Sequence, residues 1–143
     1  MSAKKKIHKL AFDFESDFKL IGIASHENDY RLSWAINKFL NIDFVKADDL
    51  LIHHPKHKIE AHYSMYTCFD DDNYISYHLI SNKSEKGFLL PQMTNIDFIL
   101  KISEETDSDQ LNNLLKSLKK IDIIITAFFI EDLPDKVKNT FAF

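Results

Sequence analysis

The chain is poor in the residues that punctuate or cross-link a fold. Its 143 residues include only 2 glycines, 3 prolines and 1 cysteine. With Cys68 alone, no internal disulfide forms and a disulfide-stapled secreted scaffold is excluded. Gly22 and Gly87 stand isolated and match neither a phosphate-cradling loop nor a dinucleotide fingerprint. The longest uncharged apolar run, Ile123 to Ile130, falls far short of the ~20 residues a membrane helix needs. Lys4-Lys5-Lys6 resembles the basic start of a signal peptide, but Lys9 and Asp13 interrupt the following segment before an apolar core develops. A basic excess is missing as well. The net charge is -4, so general phosphate neutralisation has no footing and nucleic acid is not an expected partner. These absences together lead us to expect a cytoplasmic protein without membrane anchor or cofactor.

Against them stands a surplus of aromatic residues, 13% of the chain with 12 phenylalanines, in an otherwise ordinary composition of 45% hydrophobic and 28% charged residues. A chain of this length buries roughly 68–70% of its unfolded surface and needs no metal or disulfide to hold a core. One domain spanning 1–143 is the expectation.

Hydrophobic period organises that domain. His8 to Phe14 alternates, with Leu10, Phe12 and Phe14 on one face, and Phe18 to Ala24 reads as a second strand. Gly22 inside it marks a bulge or a close backbone approach. Ser25 and Asn28 are both suited to cap a helix from Tyr30 to Leu40. In that helix Leu32, Ala35, Ile36, Phe39 and Leu40 fall on one stripe, and Asn41 stops it. Ile42 to Lys46 reads as a short strand, and Asp48 to Lys58 as irregular. Ile59 to Phe69 and Tyr74 to Ser81 form a hairpin across Asp70-Asp71-Asp72-Asn73. In its first strand Tyr63, Met65, Thr67 and Phe69 share one face, and His62, Ser64, Tyr66 and Cys68 the other. Asn82 to Gly87 is a polar turn. Ile96 to Ser103 is a strand, Asp107 with Gln110 resembles a capping box, and Leu111, Leu114, Leu115 and Leu118 stripe a second helix ending in Lys116, Lys119 and Lys120. Ile121 to Ile130 reads as a strand covered on both faces. The tail Val137 to Phe143 is amphipathic and suited to docking on the body. The order β-β-α-β-β-β-β-α-β predicts an α+β fold, a mostly antiparallel sheet with two helices packed on one face. A C-terminal βαβ unit is compatible with it, right-handed if its strands are parallel.

Two stretches resemble a known family. Ser25-His26-Glu27-Asn28-Asp29-Tyr30-Arg31-Leu32-Ser33-Trp34-Ala35-Ile36-Asn37 is similar to the S-H-x-x-D-Y-R-L-x-W-x-I-N run of the IPExxxVDY family, small Bacteroidota-type proteins of unknown function. Leu90-Pro91-Gln92, three residues, then Ile96-Asp97-Phe98 resembles the signature itself. The family has Glu at the third position and Tyr at the last. Gln92 and Phe98 keep size and shape but cannot ionise, which suits an architectural motif rather than a catalytic one. Pro91 forces Leu90 into extended backbone, Gln92 to Asn95 make a corner, and Ile96 and Phe98 start a strand with both side chains in the core. Asp97 is expected to tie down corner amides. The resemblance implies no activity.

The remaining constellations are weak chemically. His53, His54, His57 and His62 crowd around Pro55 at spacings too loose for a zinc site, so no metal is assigned. Asp70 to Asn73 lacks the alternation, central glycine and distal glutamate of a calcium loop. Cys68 with His62 or His78 lacks a turn that would present a nucleophile. No catalytic residues are assigned. The better surface is Asp29, Tyr30, Arg31, Trp34, Asn37 and Lys38, where Trp and Tyr beside an Arg have interface composition. The same residues also fit a wide buried face, with Trp34 in the core and Asp29–Arg31 a local surface pair. We expect a non-enzymatic interaction or adaptor module, acting on a protein partner or as a homo-oligomer. The alternative is a regulatory domain binding a small ligand between helix and sheet. An RNA-associated role would require a local patch at Lys4–Lys6 or Lys116–Lys120.

Overall fold

The computed structural model describes residues 18–54, 59–103 and 106–143. The expected strand at His8–Phe14, as well as His57, lies outside them, as does the side chain of His54.

Six strands form one antiparallel sheet. In chain order they are β1 (Phe18–Ala24), β2 (Val45–Lys46), β5 (Met65–Asp70), β6 (Ile75–Ser81), β9 (Phe98–Ser103) and β10 (Thr126–Ile130). Their spatial order is β10-β1-β9-β6-β5-β2. Two small hairpins stand apart, β3 (Leu50–His54) with β4 (Ile59–Tyr63), and β7 (Lys83–Ser84) with β8 (Gly87–Phe88). Helices α1 (Asp29–Leu40) and α2 (Ser108–Lys119) complete the core, followed by the single turn α3 (Asp135–Lys138) and a 3-10 turn (Asn139–Phe141). The fold is α+β, a mostly antiparallel sheet with helices packed against it.

Period two explains why both faces of the sheet are covered. Ile21, Ile23, Leu79, Phe98, Leu100, Ile102, Tyr66 and Cys68 point to one side. There they meet Leu32 and Ile36 of α1 and Leu111 and Leu118 of α2. Each such fully buried aliphatic side chain contributes about 1.5–3 kcal/mol. Leu20, Ile80, Ile99 and Ile130 point to the other side and pack against Ala61 and Tyr63 of β4, Leu89, Leu90 and Ile96 of the corner, and Phe141 of the tail. The two helices therefore lie on one face, and the small hairpin, corner and tail cover the other. The tail docks on the body through Phe141, which is fully buried, and Val137. Both β9 and β10 run antiparallel to β1, so they are parallel to one another with β1 between them. The βαβ unit through α2 is thus split by an inserted strand.

Local signals decide several ends. Asn28, not Ser25, caps α1, accepting from Arg31 N at 2.8 Å. Ser25 instead donates to Ile123 O at 2.7 Å. Asn41 closes α1 in the left-handed region at φ 56°. Asp107 caps α2 by accepting from Gln110 N at 2.8 Å. Gly22 sits in regular register between β9 and β10, so it is a close approach rather than a bulge. A Cβ there would meet Ile96 Cδ1 at 3.1 Å.

Other expectations are corrected. The strand Ile59 to Phe69 breaks at Ser64, whose carbonyl accepts from Ser81 N at 2.9 Å, and its first half leaves the main sheet. The segment read as irregular contains β3, because its partner is the half-strand that left. Ile42 to Lys46 narrows to Val45–Lys46, and Ile121 to Ile130 to Thr126–Ile130. Phe39, placed on the core stripe of α1, is half exposed at its outer edge.

Candidate functional site

The two stretches singled out in the sequence fold into contrasting environments. The first is the corner from Leu89 to Phe98. Leu90, Ile96 and Phe98 are buried, while Pro91 and Gln92 are exposed. Ile96 precedes the strand and enters the tail-side cluster, whereas Phe98 opens β9 and enters the helix-side cluster. The two side chains therefore fill opposite cores rather than one. Asp97 does not tie corner amides. Its carboxylate accepts from Ser25 N at 2.8 Å and pairs with Lys83 Nζ at 2.8 Å, clamping the end of β1 to the corner.

The organiser of the corner is Asn82, read in the sequence as part of a polar turn but 0% exposed. Its Oδ1 accepts from Leu90 N at 2.8 Å. Its Nδ2 donates to Met93 O at 3.0 Å and Ile96 O at 2.9 Å. Its backbone N–H donates to Asp97 O and its carbonyl accepts from Leu89 N. Each of these donor and acceptor groups is used, as a buried amide requires. The only sequence signal for this role is an Asn placed just after a strand, which does not separate a buried clip from an exposed turn.

The second stretch is α1. Its Arg31, Trp34, Ala35, Lys38 and Phe39 recur at i, i+3, i+4, i+7 and i+8, a stripe beside the core stripe. With Lys120, Ile121, Asp122 and Ile123, just past the end of α2, they line an open groove of about 480 Å³. Trp34 is 51% exposed on its wall. Lys38 Nζ lies 4.9 Å from the centre of the indole ring, a cation–π contact that props the ring in place. Arg31 pairs with Glu27 at 3.5 Å rather than with Asp29. Tyr30 is exposed at the start of the helix. The groove is thus an aromatic wall under a rim of Arg31, Lys38 and Lys120, with Asp122 as its one carboxylate.

Two expected surface residues belong to the scaffold instead. Asn37 clips the chain after the helix, with Phe44 N donating to its Oδ1 at 2.6 Å and its Nδ2 donating to Phe44 O at 3.1 Å. Asp29 accepts from the Ser64 hydroxyl and from Tyr30 N, fastening the start of α1 to the break between β4 and β5. The residues missed from the sequence are Lys120 to Ile123, which lie more than eighty positions downstream of the helix they face.

The other constellations stay apart. Cys68 stands opposite Tyr77 in the β5–β6 register, so His78 projects to the other face of the sheet, and burial pushes the Cys68 thiol up. His62 is exposed on the small hairpin, opposite Leu51. Among the described residues no group of three or more His, Cys, Asp or Glu converges as metal ligands would. Asp70 folds back on the hairpin turn, where bonds from the Asn73 side chain and from the backbone of Asn73 and Asp72 hold its carboxyl below the usual range.

One buried charge lies on the tail side. Lys101 is 5% exposed, and its amine donates to Phe143 O at 2.7 Å while facing the rings of Phe143 and Phe18 at 3.9 and 5.3 Å. Desolvation lowers it to about 8. His78 meets the edge of the Phe143 ring at 5.1 Å, and burial with the nearby Lys101 charge lowers it to about 4. The imidazole is therefore neutral at pH 7.

No helix among the described residues is long and apolar enough to cross a membrane. Comparison with protein-family models and with curated proteins finds no match to this chain.

Proposed function

We propose that the protein is a non-enzymatic interaction or adaptor module of the cytoplasm, and that the groove along α1 is its binding surface. The observation that carries this reading is Trp34, half exposed on a concave wall. A large apolar ring left in water at a concave place has the character of an interface anchor. The cationic rim around it adds charge selection to apolar contact. Kinship with the IPExxxVDY family belongs to the same proposal, and rests on the Ser25–Asn37 run and the Leu90–Phe98 corner.

The test is a Trp34→Ala variant. It keeps the circular-dichroism spectrum and melting behaviour of the parent, yet loses the complexes that the parent forms, measured by light scattering after size exclusion and by co-purification. A variant that retains those complexes at unchanged affinity defeats the proposal. A second reading, a small-ligand domain, is favoured by the groove volume of about 480 Å³, inside the ~300–1,000 Å³ range of ligand pockets. Its check is a thermal-shift series against metabolites, where a binder raises the melting temperature by mass action and loses that effect in Trp34→Ala.

A further inference from the structure

The groove asks for an occupant that is aromatic and acidic, and the described surface carries one. At the tip of the β5–β6 hairpin Phe69 is 53% and Tyr74 77% exposed, although both are large and apolar. Between them stand Asp70, Asp71 and Asp72. Asp70 is spent inside the turn, accepting from Asp72 N at 3.0 Å and Asn73 Nδ2 at 2.9 Å. Asp71 and Asp72 are exposed, and neither enters an ion pair among the described residues. The tip is a knob of two aromatic rings flanking two exposed carboxylates, with the Asp70 bonds inside its turn.

The knob cannot reach the groove of its own molecule. The hairpin tip stands at the Ser103 end of β9, with Tyr77 opposite Ile102 and Ser76 N donating to the Ser103 hydroxyl. The groove is built on Lys120 to Ile123, beyond the C-terminal end of α2. Ile123 accepts from Ser25 just past the end of β1, at the Phe98 end of β9, and the 6 residues of that strand span about 20 Å. Knob and groove therefore sit at opposite ends of the molecule, are complementary in charge, and each expose aromatic surface.

We propose that the occupant of the groove is the hairpin tip of a second copy of this chain. Tyr74 and Phe69 of one molecule pack against Trp34 and Phe39 of the next, while Asp71 and Asp72 face Arg31, Lys38 and Lys120. The inference rests on the groove being an interaction surface. The contact is heterologous, because different patches meet, so it propagates head to tail into chains or closes into a ring. The site is completed only by the partner copy, since the groove alone contributes no counter-charge beyond Asp122.

Complementation tests it. The knob variant is Phe69→Thr with Tyr74→Asn, asparagine being chosen because Tyr74 sits at φ 56°. The groove variant is Trp34→Ala with Lys38→Glu. Sedimentation velocity over a concentration series is expected to show the parent growing into dimers and larger species. Each variant alone stays monomeric. Their equimolar mixture stops at a heterodimer, because one intact knob and one intact groove remain. Association weakens between 0.1 and 1 M salt, as the screening length falls from about 10 to about 3 Å. Asp71→Lys with Asp72→Lys abolishes association and is rescued by mixing with Lys38→Glu and Lys120→Glu.

A parent that stays monomeric at every concentration overturns the inference, as does a knob variant that associates like the parent or a mixture that does not pair. If the parent is monomeric while Trp34 is still needed to hold another protein, self-association fails and the groove remains the binding surface. If Trp34→Ala changes no complex of any kind, the reading of the groove fails first.

Discussion

The corner at Asn82 and the groove on α1 treat their polar and aromatic groups in opposite ways. In the corner a buried amide spends both its donors and its oxygen on Met93, Ile96 and Leu90, and the neighbouring carboxylate of Asp97 is shared between an amide and a lysine. The corner's buried polar groups are paired within the chain. On the groove, Trp34 is half in water, Lys120 forms no ion pair among the described residues, and Arg31 holds Glu27 only in a long surface pair. Surface pairs of that kind are worth ~0–1 kcal/mol and are readily exchanged. The lesson is that satisfied polar groups mark architecture, whereas unspent ones mark the surface we propose for recognition. The segment with the most recognisable signature is the satisfied one.

The contrast can be broken most directly at Asn82. Asn82→Ala leaves the Leu90 amide hydrogen and the Ile96 carbonyl without a partner in a closed site, and the Met93 carbonyl with only its bond from Ile96 N; each orphaned group costs about 1–3 kcal/mol with incomplete additivity. We expect a loss of about 3–5 kcal/mol in urea denaturation. A loss below about 1 kcal/mol would show that the corner is not organised by this residue.

Lys101 sharpens the same rule from the opposite side, as a buried group whose partners do not make up for its desolvation. Its folded value, about 8, lies below the ordinary 10.5. Between those limits the unfolded chain binds more protons, so this group makes stability rise with pH from about 8 to about 10.5, and below about 8 the cost of burying the charge is fully present. The rise is of the order of 3 kcal/mol at most. Lys101→Met should remove that rise and leave stability at pH 7 equal or higher, read as the difference between the two pH profiles. An unchanged profile would mean that the amine reaches water. His78 acts in the same direction at lower pH, with stability rising from about pH 4 to about 6.5 as the unfolded imidazole loses its proton.

The smallest effect on stability belongs to the groove. Trp34→Ala removes a ring that is half solvated, so we expect a change within about 1 kcal/mol, against the several expected for Asn82→Ala. A larger loss would place Trp34 with the core and erase the distinction between the two regions.

Much of this architecture is legible in the chain. Strand period located β1, β6 and most of β5 and β9, and capping residues at Asn28, Asn41 and Asp107 bounded α1 and α2. The corner was readable from Pro91 and the apolar residues around it. The break at Ser64 was not, because alternation runs through it unchanged from Tyr63 to Cys68. The same period serves one strand or two when the halves join different sheets. Nor did β3 carry a pattern of its own, since it exists by pairing with the strand that left. Asn82 reads as part of a polar turn because Asn, Ser and Gly after a strand ordinarily make one.

By itself the sequence determined the two long helices and most strands of the main sheet, most of their apolar faces, and where the helices begin and stop. Those properties follow from backbone sterics, from side-chain period and from short-range hydrogen bonds, which involve residues within a few positions of one another. Only the tertiary structure decided that Ile36 is sealed while Trp34 is open, that Asn37 is a clip while Lys38 is a rim charge, and that Lys120 completes the groove. Exposure and partnership depend on what lies across from a residue. For α1 that neighbour arrives some eighty residues later along the chain, at the end of α2.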